Sequence, residues 1–287
     1  MSDRVLLLGA SGLLGSHLAA RLPESFATFA PLPREGTVGT TIGSRLTWLP
    51  FAVEAADDES VARAIAESAA TVIVNAVGVT PGSPRAGDRQ MQEAVNARFP
   101  HRLVSHAAPI GARVVHISTD AVFSGARGGY GEEDAPDPVD EYGRAKLAGE
   151  LGAPHLTIRT SFFGRTPRGT GLVEWAIAQQ GRTIEGFVDY RFSGLAAAVL
   201  SDLIAGAMAT PALEGVYHVG GDPVSKYELL KAIAARLHID VQVVPVRRGH
   251  VDRTLASDRF FSAVGRARPS VQDSLGALAS CGALSRN

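Results

Sequence analysis

The run Tyr142-Gly143-Arg144-Ala145-Lys146 sets a phenol and an ammonium four residues apart. On a helix, positions i and i+4 share a face, so the two heads would stand side by side. A free phenol gives up its proton at a pH of about 10. A neighbouring cation stabilises the phenolate and draws that value toward neutrality. A phenol tuned in this way can protonate a ketone oxygen while hydride arrives at the carbon. Just upstream, Ser118-Thr119 closes an apolar run, and the Thr119 hydroxyl is a candidate hydrogen-bond donor to the same oxygen. The spacing alone carries little, because a Tyr and a Lys fall at this distance by chance in many exposed helices. A second pattern in the same chain gives it weight.

That pattern is Gly9-Ala10-Ser11-Gly12-Leu13-Leu14-Gly15, directly after the apolar run Val5-Leu6-Leu7-Leu8. Four consecutive large apolar residues suit a strand buried on both faces, as in a parallel sheet. Gly9 permits a sharp exit at positive φ. Gly12 removes a side chain where backbone approaches a pyrophosphate, and Gly15 lets the next helix, about 13–22, pack close to the sheet. The amides at that helix start would meet the phosphates. A glycine triplet framed by a strand and a helix is the context that separates a dinucleotide site from an ordinary glycine-rich turn.

The elements that must position these groups alternate. Strands are expected at 26–32, 46–51, 71–77, 113–118 and 155–160. Helices are expected at 57–69, 89–108 and 142–151. This is the signature of a Rossmann-type, doubly wound parallel α/β sheet. After residue 160 the alternation weakens into helices at 172–180, 195–208 and 225–237 and strands near 183–191, 215–219 and 241–246. We therefore expect a dinucleotide-binding domain over 1–160. Residues 161–287 should form mainly a smaller C-terminal α/β substrate-binding lobe, with segments returning to the main sheet. Arg34 follows the second strand and no acid stands at its end, which predicts NADP over NAD, although NAD remains an allowed cofactor. Thr80 opens a Gly/Pro-rich loop at a strand's carboxyl end, where ligands bind in open α/β sheets. Asn96, inside a long helix, reads as structural.

Composition excludes other classes. Net charge is −1, so no global field draws the chain to nucleic acid or an anionic membrane. The lone Cys281 rules out an intrachain disulfide or a cysteine metal site, scattered histidines argue against a metal centre, and no G-x-S-x-G elbow is present. The most apolar helical stretch, 195–208, is too short to span a bilayer, and no signal-peptide pattern precedes the first strand. The expectation is a cytoplasmic protein, with a homodimer allowed for.

The chain resembles the extended short-chain dehydrogenases/reductases, and within them dTDP-4-dehydrorhamnose reductase and its relatives. The resemblance rests on Gly9 to Gly15, Asn75-Ala76, Ser118-Thr119-Asp120-Ala121-Val122-Phe123-Ser124-Gly125, Tyr142 to Lys146, Arg159-Thr160-Ser161 and Val216-Tyr217-His218. It implies an NAD(P)H-dependent reductase of a nucleotide-activated 4-keto (6-deoxy) sugar, with Thr119, Tyr142 and Lys146 as catalytic triad and no metal. It places Ser11, Leu13 and Leu14 at the phosphates, Asn75, Ala76 and Val77 beside the cofactor, and Lys146 at the nicotinamide ribose. Thr160, Ser161 and Phe162 would lie near nicotinamide and substrate, and Ala121, Val122 and Phe123 on the sugar side. Where this chain has Ala121 and Phe162 the family usually has Tyr and Trp, so the resemblance implies a reshaped sugar pocket. Arg159, Arg165, Arg168 and Arg191 are the cations available to a substrate diphosphate, against the plain alternative of solvated surface arginines. The rival reading is a non-catalytic, NADP-binding regulatory subunit resembling that of methionine adenosyltransferase.

Overall fold

The computed structural model describes residues 3–32, 45–55, 57–166 and 168–280. In chain order the first half runs β1 (Arg4–Leu8), α1 (Leu13–Arg21), β2 (Ala27–Pro31), β3 (Thr47–Leu49), α2 (Asp58–Ser68), β4 (Val72–Asn75), α3 (Arg89–Gln92), α4 (Phe99–Ala107), β5 (Arg113–Ile117), α5 (Glu141–Ala148) and β6 (Leu156–Thr160). The second half runs β7 (Phe162–Phe163), α6 (Leu172–Ile177), β8 (Arg182–Phe187), β9 (Tyr190–Phe192), β10 (Leu195–Ala196), α7 (Ala197–Met208), β11 (Gly215–Val219), β12 (Val224–Ser225), α8 (Lys226–Arg236), β13 (Val241–Val246), β14 (Val251–Arg253), α9 (Asp258–Val264) and α10 (Val271–Ser280).

Seven strands form one parallel sheet in the order β11-β6-β5-β4-β1-β2-β3. The apolar run of β1 explains why it sits inside. Val5 and Leu7 face the core shared with α1 and α7, while Leu6 and Leu8 face the core shared with α2 and α4. Chain order reverses between β1 and β4, where Leu8 and Asn75 are register partners. The crevice at those carboxyl ends is where ligands bind in such sheets. Three short sheets, β10-β7, β12-β9-β14 and β13-β8, build a smaller body over a core that includes Phe163, Phe192, Leu229 and Ile233. Among the described residues no helix is long and apolar enough to cross a membrane.

Two departures from the sequence expectation shape the site. The helix expected over 89–108 contains a π-helical segment, Glu93–Arg98, between α3 and α4. Such segments cluster at functional sites. Here it holds Asn96, fully buried, against the loop after β4. The Asn96 amide donates to the Val79 carbonyl at 2.8 Å and its oxygen accepts from the Val79 N–H at 2.9 Å. The helix expected to continue to residue 151 stops at Gly149, where a Cβ would lie 2.0 Å from the Asn96 carbonyl oxygen.

Candidate active site

The Tyr142 helix is fixed at its start. Asp140 caps it, accepting from the Gly143 N–H at 2.7 Å. Gly143 has no room for a side chain, since a Cβ would come within 2.3 Å of the Ala121 carbonyl oxygen. The first turn of α5 therefore lies directly on the short 3₁₀ turn Asp120–Val122 that follows β5. Thr119 caps that turn, accepting from the Ala121 N–H at 3.2 Å and donating to Asp120 Oδ1 at 3.3 Å. Its hydroxyl also faces the Tyr142 phenol closely enough to oppose the rise in that phenol's pKa. Thr119 and Tyr142 are thus brought together at the carboxyl end of β5, as their types and spacing suggested.

Lys146 turns its head inward. Its Nζ donates to the Ile117 carbonyl at 2.6 Å and lies 3.2 Å from His116 Nε2, beneath α5. The residue is 3% exposed. Burial pushes its pKa down to about 8, with Glu150 opposing. The expected lowering of the phenol's pKa is corrected. Burial pushes Tyr142 up to about 12, Thr119 opposes, the Asp120 and Asp140 carboxylates raise it further, and Arg253 is the cation that pulls it back. The phenol is therefore protonated throughout the neutral range, the state a proton donor needs.

Arg253 belongs to a cluster that sequence reasoning missed. It comes from β14, and its guanidinium lies 4.0 Å from Asp140 and lowers the pKa of Tyr190 on β9 against the larger effect of burial. Lys226, first residue of α8, sits 3.7 Å over the Tyr190 ring. Both cations act on Asp120, whose carboxyl also accepts from the Thr119 hydroxyl at 3.3 Å and is favoured in its charged form by Ser161. Burial outweighs them all and raises Asp120 to about 6. Asp120 lies inside the motif run Ser118–Gly125, which was the available signal. Arg253 and Lys226 had none, because they reach the site only through the small sheet β12-β9-β14.

The glycine loop has the expected geometry. Gly9 has φ +89°, and its Cβ would fall 2.8 Å from the Ala76 backbone; a Cβ on Gly15 would fall 1.9 Å from the Gly9 carbonyl oxygen. The first intrahelical bond of α1 runs from the Ser16 N–H to the Gly12 oxygen at 2.9 Å, which leaves the amides of Leu13, Leu14 and Gly15 without intrahelical partners. Leu14's side chain belongs to the core, so only its backbone is available there. A cavity of about 430 Å³ opens over this loop, bordered by Gly9, Ser11, Gly12, Ala76, Val77 and Arg168. Arg168 reaches across it to donate to Ser11 Oγ at 2.6 Å. Asn75 is fully buried, its oxygen accepting from the Val77 N–H at 3.2 Å. At the end of β6 the Thr160 hydroxyl is buried with no hydrogen-bond partner, an acceptor or donor held ready on the same edge of the sheet. Glycine cradle, helix-start amides and orphaned hydroxyl together fit a dinucleotide.

The expected substrate contacts are corrected at Val122 and Phe123, and the other expected site residues have the following surroundings. Val122 and Phe123 are fully buried in a satellite core with Tyr130 and Leu255, where Phe123 stacks on Tyr130 at 4.2 Å, so they shape the turn and do not face a substrate. Ala121 is 4% exposed beneath α5, and Phe162 is half-buried against the main core. Arg191 is exposed on β9, where Tyr190 and Phe192 take the opposite face, and its charge acts on Glu228. Arg159 is locked with Glu150 at 2.7 Å, and Arg165 with Glu174 at 2.6 Å. Thr80 is exposed beside Val79. Arg34, on which the NADP expectation rests, and Cys281 lie outside the described residues.

Comparison with known proteins identifies the family and the fold. The family model described as RmlD substrate binding domain matches residues 3–257. The chain belongs to that family. Among its relatives, a Streptomyces antibioticus protein named Probable dTDP-4,6-dihydroxy-2-methyloxan-3-one 4-ketoreductase is 29% identical over 92% of this chain and 88% of its own length. Methionine adenosyltransferase 2 subunit beta of Mus musculus, from the other functional class, is also 29% identical, over 81% of this chain and 72% of its own. The fold of a Bacillus anthracis dTDP-4-dehydrorhamnose reductase, solved in complex with NADP, superposes with a TM-score of 0.82 at 24% identity, covering 98% of this chain and 99% of that one. The family fold thus accounts for the seven-stranded sheet and the crevice between β1 and β4.

Proposed function

We propose that this protein is an NADPH-dependent reductase of a nucleotide-activated 4-keto sugar, with NADH as the weaker alternative. The observation that carries it is the half-buried Tyr142 phenol, kept protonated beside Thr119 at the carboxyl edge of a dinucleotide-type sheet. The named activity of the Streptomyces antibioticus relative, similar along nearly the whole chain, supports the same reading.

A reduced nicotinamide, when bound, supplies the hydride. Tyr142 donates the proton to the carbonyl oxygen, and Thr119 orients that oxygen by a hydrogen bond. Arg253 stabilises the phenolate left behind, the opposite sense to Asp120 and Asp140. Gly9, Gly12 and Gly15 allow backbone amides to meet the pyrophosphate, with Ser11 and Arg168 beside them. Asn75, Ala76 and Val77 border the cofactor, and Thr160 offers its unpaired hydroxyl. Ser161 and Phe162 flank the substrate. Lys226 and Arg253 give that side a positive field suited to a diphosphate.

The test is reduction of a panel of nucleotide 4-keto sugars followed by NADPH and NADH oxidation. Turnover with at least one such sugar, faster with NADPH, is the expected result. The similarity to methionine adenosyltransferase 2 subunit beta gives the competing outcome. Tight NADPH binding with no ketone reduced across the panel would replace the enzyme reading with a regulatory one.

A further inference from the structure

The walls of the cavity over the glycine loop hold two guanidiniums, Arg85 and Arg168, and among the described residues no Asp or Glu. Most of the remaining lining is backbone and apolar side chain, including Leu32, Val53, Val79 and Phe99. Leu32, just past the end of β2, is 43% exposed, a large apolar side chain left uncovered on the cavity wall. The two cations have separate anchors. Arg168 is tied to the glycine loop through Ser11. Arg85 comes from the loop after β4, and its guanidinium rests on Met91 Sδ at 3.9 Å. A thioether is a weak acceptor, so this contact leaves the guanidinium its capacity for strong acceptors. No ion pair among the described residues engages Arg85.

The loop that presents Arg85 is held in shape by its own turns and by two buried amides. The Ser83 N–H donates to the Thr80 carbonyl at 2.9 Å, the Ala86 N–H to the Ser83 carbonyl at 3.0 Å, and the Asp88 N–H to the Arg85 carbonyl at 3.0 Å. Ser83 Oγ accepts from the Arg85 N–H at 3.2 Å. Gln92, 3% exposed, donates to the Ala86 carbonyl at 3.3 Å and accepts from Asn96, whose own amide clasps Val79. Burying two amide side chains is costly unless their hydrogen bonds are made. Here those bonds fasten both ends of this loop, Val79 and Ala86. The π segment Glu93–Arg98 and the residue before it thus keep Arg85 on the cavity wall.

We propose, resting on the dinucleotide reading of this cavity given above, that Arg85 is a specificity-determining residue that binds the ribose 2′-phosphate by which NADPH differs from NADH. In sheets of this kind the adenine ribose lies at the end of the second strand, where an acid takes the 2′-hydroxyl or an arginine takes the 2′-phosphate. Pro31 and Leu32 end β2 without an acid and line the same cavity as Arg85. Arg168 answers the pyrophosphate at the glycine loop, so a second, separately anchored cation matches a ligand with a further phosphate. A guanidinium can pair with a phosphate through two parallel hydrogen bonds. The apolar walls suit the adenine, and its presence would cover Leu32. The assignment is independent of Arg34.

Equilibrium titration of wild type and Arg85→Ala with NADPH, NADH and the fragment 2′,5′-ADP tests this without sugar or turnover. Arg85 is exposed, so the substitution leaves the fold in place, and thermal melts check that it does. In the variant, NADPH and 2′,5′-ADP should bind about tenfold more weakly or worse, while NADH affinity changes by less than about threefold. Equal loss for NADPH and NADH, as a displaced loop or a guanidinium stacked on adenine would give, overturns the proposal. An NADPH-to-NADH affinity ratio the same as in wild type overturns it too, and leaves the dinucleotide site standing. A wild type that binds neither cofactor removes the dinucleotide reading and the proposal together.

Discussion

Replacing Asp120 with asparagine keeps the shape of the side chain and removes its charge. In the folded protein the carboxyl is 8% exposed and its pKa moves from 3.8 to about 6. A shift of about two units at about 1.4 kcal/mol each is roughly 3 kcal/mol. The folded-state pKa is raised, so the stabilising contribution of the proton is fully present below about 3.8 and lost as pH rises through about 6. At neutral pH the wild type therefore carries a buried charge that Arg253 and Lys226 only partly offset. The asparagine side chain of the variant has no proton to lose. Urea unfolding of wild type and Asp120→Asn at a pH near 3.5 and again near 7.5 isolates the effect, because any hydrogen bond changed by the amide enters both differences equally. The variant should gain about 3 kcal/mol relative to wild type between the two conditions. A difference that does not change with pH, or changes the other way, would refute the claim that burial dominates at Asp120.

Two further substitutions test the frame around the site. Gly15→Ala drives a Cβ to 1.9 Å from the Gly9 carbonyl oxygen, so the glycine loop must shift. We expect at least about tenfold weaker dinucleotide binding and about 1–3 kcal/mol lost stability, measured by cofactor titration and thermal melts; unchanged affinity would remove this turn from the cofactor site. Glu150→Ala leaves Arg159 buried without its carboxylate, where the two side chains are 8% and 6% exposed. Loss should be about 3–5 kcal/mol, with most recovered when Arg159 is also made apolar, and a loss below about 1 kcal/mol in denaturant titration would contradict the ion-pair account.

The main sheet was legible because its strands carry their burial in their own sequence. Val5 to Leu8 and Val72 to Val74 are uninterrupted apolar runs, and the glycines at 9, 12 and 15 announce the turn between β1 and α1. Thr119 and Tyr142 were legible because both lie in compact local motifs. Lys146 shows the limit of such reasoning. Helical spacing puts it on the face of Tyr142, yet the Ile117 carbonyl and His116, on a strand nearly thirty residues earlier, decide where its head goes. Arg253 and Lys226 were invisible for the same reason, since short strands at 190–192, 224–225 and 251–253 have too few residues to show a period. The π segment at 93–98 and the helix α10 also escaped notice. The first differs from an α-helix only in hydrogen-bond register, and the second is a run of small residues with a weak apolar stripe.

The central claim is that Tyr142 is the proton donor, and one substitution addresses it without disturbing the rest. Tyr142→Phe keeps the ring on α5 and removes only the hydroxyl that meets Thr119. Single-turnover reduction of a nucleotide 4-keto sugar with saturating NADPH, paired with direct NADPH titration, separates chemistry from binding. The account predicts a rate lower by about 10²–10⁴-fold with NADPH affinity little changed. A variant that reduces the sugar at the wild-type rate would contradict it.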